Sequence, residues 1–142
     1  MIIAISDIRD ELVYPVLKAA NTTSINILGE EVVTNKYLQD LEEYANDFVM
    51  SVAGVGLESI VTPVPYKLKE LCKAKLCLFV CLAKSYSASL STRGSDSRDS
   101  WSEKLEYYTT MVKTLEPQIS KEMLLGDSRN TILFGSVQLL RG

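Results

Sequence analysis

Histidine is absent from all 142 residues. That removes the Ser-His-Asp arrangement, the Cys-His pair, the commonest general base and the commonest zinc ligand together. Net positive charge is missing too. Fifteen Lys and Arg stand against 18 Asp and Glu, a formal charge of −3, so no global field draws the chain onto nucleic acid or anionic lipid. Long apolar runs are lacking: the longest, Leu76 to Ala83, falls far short of the roughly 20 residues a bilayer span requires, and no membrane segment is expected. The opening MIIAIS has no basic n-region and turns acidic at once in DIRDE, which is not how a secretory signal is built; the expectation is a cytoplasmic chain. Cysteine is scarce, odd in number and clustered, so reduced thiols are expected rather than a disulfide framework. The sequon Asn21-Thr22-Thr23 then has no glycosylation route.

What is present is apolar content of 46%, enough for one domain over residues 1–142 with its own core. Ser6 is placed to cap a first helix with Ile8, Leu12, Val16 and Leu17 along one side, kinked or split at Pro15. NTTSINILGEEVV, β-branched and containing Gly29, reads as a loop or short extended piece. Thr34 caps the next helix, whose apolar positions Leu38, Leu41, Ala45, Phe48 and Val52 form one stripe that Gly54 ends. GVGLESIVTPVP is a connection, and Pro65 suits the first turn of a third helix from about Tyr66 to about Ser87. The serine-rich stretch Ser89 to Ser100 reads as an exposed loop, and Ser100 with Glu103 as a capping box. On the helix that follows, Trp101, Leu105, Tyr108, Val112 and Leu115 make a second stripe; Pro117 breaks it, leaving a short helix that Gly126 ends. The closing TILFGSVQLLRG alternates as an extended arm or strand would.

The candidate sites dissolve one by one. At about 100° per residue, Cys72 and Cys81 lie on opposite sides of their helix, and only Cys77 and Cys81, about 40° apart, share a face. Three thiolates so arranged do not converge on one ion, and no base is available to activate any of them. Glu43 and Asp47 are four apart on one helix face, away from the apolar stripe, which fits surface charge better than an acid/base pair. Gly54-Val55-Gly56 follows no strand and precedes no GK[ST], so it reads as a helix terminator. Among Lys67, Lys69, Lys73 and Lys75 only Lys69 and Lys73 clearly share a face, and Glu70 interrupts them, so a solvated face fits better than a nucleic-acid footprint. No metal or cofactor is expected.

One feature is unusual. LCLFVCLA, Leu76 to Ala83, is apolar on every side of its helix and must be surrounded by protein. It predicts an all-α fold: a helical bundle of about four helices around a central buried helix, with a wet first half of that helix and a C-terminal extended arm or strand. On this reading Cys72→Ser is mild and Cys81→Ser is worse.

The succession of the capped helix TNKYLQDLEEYANDFVMSVAG, the Pro-initiated helix VPYKLKELCKAKLCLFVCLAKS, the Tyr-rich helix running into LEPQISKEMLLG and the closing GSVQLLRG resembles the small head–tail connector proteins of tailed bacteriophages, also called adaptor or head-completion proteins. The order of elements covers Ser6 to Gly142, and each motif alone is of low specificity. The resemblance implies a non-enzymatic virion protein of the capsid–tail neck, present in the host cytoplasm during assembly. It implies a homo-oligomeric ring, commonly of twelve copies, that binds the portal protein and the next connector or tail protein. DNA would pass through the ring without sequence-specific binding. By the same analogy the contact residues would be Thr131, Ile132, Leu133, Phe134, Val137, Leu139, Leu140 and Arg141, with the Ser89 to Ser100 loop as a second candidate. The alternative of a different class is a cytoplasmic helical interaction module, a regulator or assembly chaperone whose tail adds a strand to a partner.

Overall fold

The computed structural model describes residues 2–90 and 95–126, with side chains for all of these except 86–90 and 95–99. Helices α1 (Val13–Ala19), α2 (Lys36–Ala53), α3 (Tyr66–Leu90), α4 (Ser95–Leu115) and α5 (Lys121–Leu125) account for most of it. Single 3-10 turns cover Ile5–Asp7, Leu57–Ser59 and Glu116–Gln118. The departure from an all-α fold is an antiparallel hairpin, β1 (Asn21–Ile25) and β2 (Glu31–Asn35), in the register Asn21 to Asn35 and Ile25 to Glu31. The protein is therefore mostly helical with a small sheet.

Pro15 resolves the first helix into two pieces. Ile5–Asp7 turns once, and α1 begins at Val13, which places Pro15 in the first turn, where its missing N–H has no intrahelical partner to lose. Ser6 is not a cap; Asp10 does that work, its Oδ1 accepting from the amides of Leu12 at 2.9 Å and Val13 at 3.1 Å. Helix α2 is capped one residue later than Thr34, by Asn35, and ends as expected at Gly54, whose φ of 76° is the left-handed conformation a side chain would oppose. Its buried line is Tyr37, Leu41, Ala45, Val49 and Ala53, with Leu38, Phe48 and Val52 half-buried beside it, so the helix is rotated by a fraction of a turn from the predicted stripe. Ser120 caps α5, its Oγ accepting from the Met123 amide, and Gly126 follows the last turn.

Two helices run further than their sequence suggests. α3 continues to Leu90 and α4 starts at Ser95, so most of the predicted Ser89 to Ser100 loop is helical and Ser100 lies inside a helix instead of capping one. Serine is only mildly unfavourable in a helix, and α3 and α4 pack on each other, so propensity alone does not end either helix where the serines begin.

The core is built on α3. Leu68, Leu71, Cys72, Leu76, Val80 and Cys81 are completely shielded from solvent, with α4, α2 and α1 packed against the helix. Burial of Cys72 and Cys81 on opposite sides shows that α3 is covered from both directions. Two details of the expected octet need correction. Enclosure begins at Leu68, not Leu76, and Leu82, inside the octet, is 50% exposed. The first half is not wet, because Lys73 pairs with Glu70 at 2.9 Å, while Lys75 lays its ammonium over the Tyr44 ring at 4.6 Å and leaves the apolar side of the helix free to pack. From α2, Tyr44 reaches across to the turn after α4, donating its hydroxyl to Glu116 at 2.6 Å. Leu124 of α5 is fully buried, and its carbonyl accepts from the Val61 amide at 2.9 Å, which ties the end of the described chain to the α2–α3 connection.

Candidate functional site

The interaction residues expected at Thr131 to Arg141 lie outside the described residues. The three cysteines are all buried free thiols within the α3 core. Burial pushes Cys72 and Cys81 up to about 12 and Cys77 up to about 11, so all three stay protonated at neutral pH and none is poised as a nucleophile. Cys72 is as shielded as Cys81, which overturns the expectation that its replacement by serine is mild. Glu43 and Asp47 are both exposed on α2. Of the lysines expected as a solvated face, Lys67 is exposed and Lys69 half-buried, while Lys73 is in an ion pair and Lys75 in an aromatic contact.

One charged cluster among the described residues is not signalled by the sequence. Asp10, before α1, accepts from the ammonium of Lys104 at 2.8 Å and from the Tyr108 hydroxyl at 2.6 Å, both on α4. Its side chain is only 7% exposed. Burial alone would raise its pKa, but the bonds from Lys104, Tyr108 and the amides of Leu12 and Val13 outweigh that and lower it from 3.8 to about 2. The same bond holds Lys104 above its ordinary value; burial and then the Asp10 bond raise Tyr108, which also faces the Cys77 thiol. A groove of about 380 Å³ opens beside them, bordered by Arg9, Lys73 and Tyr107. None of the three groups changes protonation near neutrality, and the carboxylate's lone pairs are taken by four donors. The arrangement clamps the N-terminal segment to α4; it offers no free base.

A larger groove, about 610 Å³, lies between α2 and the connection to α3, with Gln39, Glu42, Glu43 and Glu58 on its walls. Asn46 in it is engaged, its Oδ1 accepting from the Leu57 amide at 2.9 Å. Among the described residues, no three Cys, Asp or Glu side chains are arranged to hold a metal ion, and no helix is long and apolar enough to cross a membrane.

The hairpin is the other feature that stands out. At its base Asn35, 4% exposed, donates to the Leu17 carbonyl at 2.7 Å and to Asn21 Oδ1 at 2.9 Å, while its own Oδ1 accepts from the amides of Tyr37 and Leu38. One side chain thus ties together α1, β1 and α2. At its tip Asn26 organises the turn: its Oδ1 accepts from the amides of Leu28 and Glu30, both at 2.9 Å, its carbonyl accepts from the Gly29 amide, and Gly29 takes φ of 81°. This well-bonded turn presents Ile27, 99% exposed, and Leu28, 77% exposed, to water, with Ile25 and Val33 exposed below them. They form an exposed apolar patch on a well-bonded arm. The β-branched residues flanking Asn26 and Gly29 signalled extended chain; the missed signal was that the two segments are long enough to pair.

No family model, no curated protein and no solved structure matches this chain.

Proposed function

We propose that this chain is a structural subunit of a tailed-phage or prophage particle, of the head–tail connector type, which forms a homo-oligomeric ring between the portal vertex and the tail. The DNA channel continues through the ring, and the reading assigns the subunit no catalytic step. The observation that carries it is the pinned hairpin with its exposed apolar tip, an arm whose large side chains no described residue covers and which a neighbouring subunit would bury. Supporting it are the buried, protonated thiols and the saturated Asp10 clamp, which are structural in character. The helical bundle packed on α3 is the rigid body that carries such an arm. Within this reading Thr131 to Arg141 form a second arm, directed at the portal or at a neighbouring subunit.

Sedimentation of the full chain, alone and with purified portal particles, tests the reading. A discrete multi-subunit species, or co-sedimentation with portal, is expected. A chain that stays monomeric and ignores the portal contradicts it. The same hairpin would also serve a helical interaction module; a portal or major capsid gene beside this one favours the connector, and its absence favours the module.

A further inference from the structure

We infer that the hairpin tip of one copy seats in a groove at the hairpin base of the next copy, a head-to-tail contact that repeats around a ring. The inference rests on the ring reading above and supplies its contact.

The hairpin has two unlike faces, because side chains alternate along a strand. Thr22, Ser24, Val32 and Thr34 point one way; Thr23, Ile25, Glu31 and Val33 point the other. The second face carries Ile25 and Val33 exposed beside a carboxylate, and leads to Ile27 and Leu28 at the turn. Glu31 has no partner among the described residues, and Glu30 meets only Asn26, at 3.2 Å. The element is therefore an apolar wedge edged with negative charge.

A surface of matching chemistry exists on the same molecule. Pro15, Val16, Ala19 and Ala20 of the α1 region and Tyr37 of α2 line a groove of about 380 Å³, with Lys36 and Lys84 at its margin. Its walls are mostly apolar and its charges positive. Lys84 has no carboxylate partner among the described residues, and Lys36 rests its ammonium 5.4 Å from the Tyr37 ring centroid, free to turn toward an acid. The groove has room for the Ile27 and Leu28 side chains.

The wedge does not reach its own groove. Ala20 precedes β1 and Lys36 follows β2, so the groove sits at the foot of the hairpin, while five paired residues carry the tip roughly 17 Å away. Asn35 below and Asn26 above hold that geometry. A symmetric tip-to-tip contact is disfavoured as well, because it sets Glu30 and Glu31 of both copies against each other. What remains is a contact between different patches on successive copies, the type that closes into rings when the rotation per subunit permits. A hairpin tip covers far less than the roughly 1,600 Å² of a standard interface. One contact alone is therefore weak, and ring closure or a portal template strengthens it by making later contacts intramolecular.

Cross-linking of the full chain tests this directly, because the native thiols are buried, and the unmodified chain treated alike is the control. Ile27→Cys and Ala19→Cys, both at exposed positions, are made as separate proteins and treated at high concentration with a short bis-maleimide. The mixture is expected to give a heterodimer that neither variant gives alone, and a chain carrying both changes a ladder of oligomers. Glu31→Lys in the Ile27→Cys chain should lower the yield at least tenfold, and Lys84→Glu in the Ala19→Cys chain should restore it. No heterodimer, an equal homodimer from Ile27→Cys alone, or failed restoration overturns the contact. Rings seen without the cross-link overturn this contact and leave the ring reading standing; the cross-link in a chain that neither sediments as a discrete oligomer nor binds portal leaves the contact standing and overturns the ring reading.

Discussion

Replacing Asp10 by Asn removes the charge from the clamp while keeping its shape. The wild-type carboxylate titrates at about 2 in the fold against 3.8 as its ordinary value, which corresponds to about 2 kcal/mol of stability at neutral pH. Because the folded value is the lower one, this stability is fully present above about pH 5 and drains away as pH falls toward 2. The amide also gives Tyr108 a weaker acceptor and leaves Lys104 without its counter-charge, although Lys104, 32% exposed, can turn to water. We expect Asp10→Asn to cost about 3 kcal/mol at pH 7, with a melting temperature roughly 10 °C lower. Urea unfolding of both proteins from pH 7 to pH 2 isolates the effect, since other carboxylates titrate alike in both. The gap between them should narrow by about 2 kcal/mol between pH 5 and pH 2. A gap that stays constant with pH, or is absent at pH 7, refutes the clamp.

Cys72→Ser and Cys81→Ser should each cost about 1–3 kcal/mol in thermal or chemical unfolding, because each puts a hydroxyl where no solvent reaches; a large difference between them would revive the idea of a wet first half of α3. A maleimide should label the native chain only as fast as it unfolds, and rapid labelling at neutral pH would contradict thiols held near 11 to 12. Asn35→Ala should cost about 2 kcal/mol, from a lost cap and the loss of the 2.7 Å bond to the Leu17 carbonyl, which keeps only the longer bond from the Ala20 amide, and should speed amide exchange throughout the hairpin. Unchanged exchange there would show that the arm is held by something else.

The sequence is most informative where the rules are local. Gly54 ending α2, Gly126 ending α5 and Pro15 dividing the first helix all follow from backbone chemistry at single residues. The α4 stripe from Trp101 to Leu115 also packs as its spacing implies, with Val112 buried at its centre. Where packing decides, local reading fails. Serines beyond Ser87 look like loop, yet α3 runs to Leu90 and α4 starts at Ser95, and the buried face of α2 includes Tyr37 and Val49, which the predicted stripe left out. Asp10 reads as a charge near a helix start, and it does accept the first amides of α1; its partners Lys104 and Tyr108 lie more than ninety residues on, where no spacing rule reaches. The hairpin falls between these cases: its turn chemistry is local and visible, its pairing is not.

As a connector, this protein would build a ring at the portal vertex. Electron microscopy of tailless, portal-bearing capsids incubated with the full-length chain measures that most directly. A connector gives added ring density with a central channel at the portal vertex alone, lost when Ile27 is replaced by Asp in a chain that still melts like wild type. Capsids left bare at that vertex, or decorated over their whole surface, would contradict it.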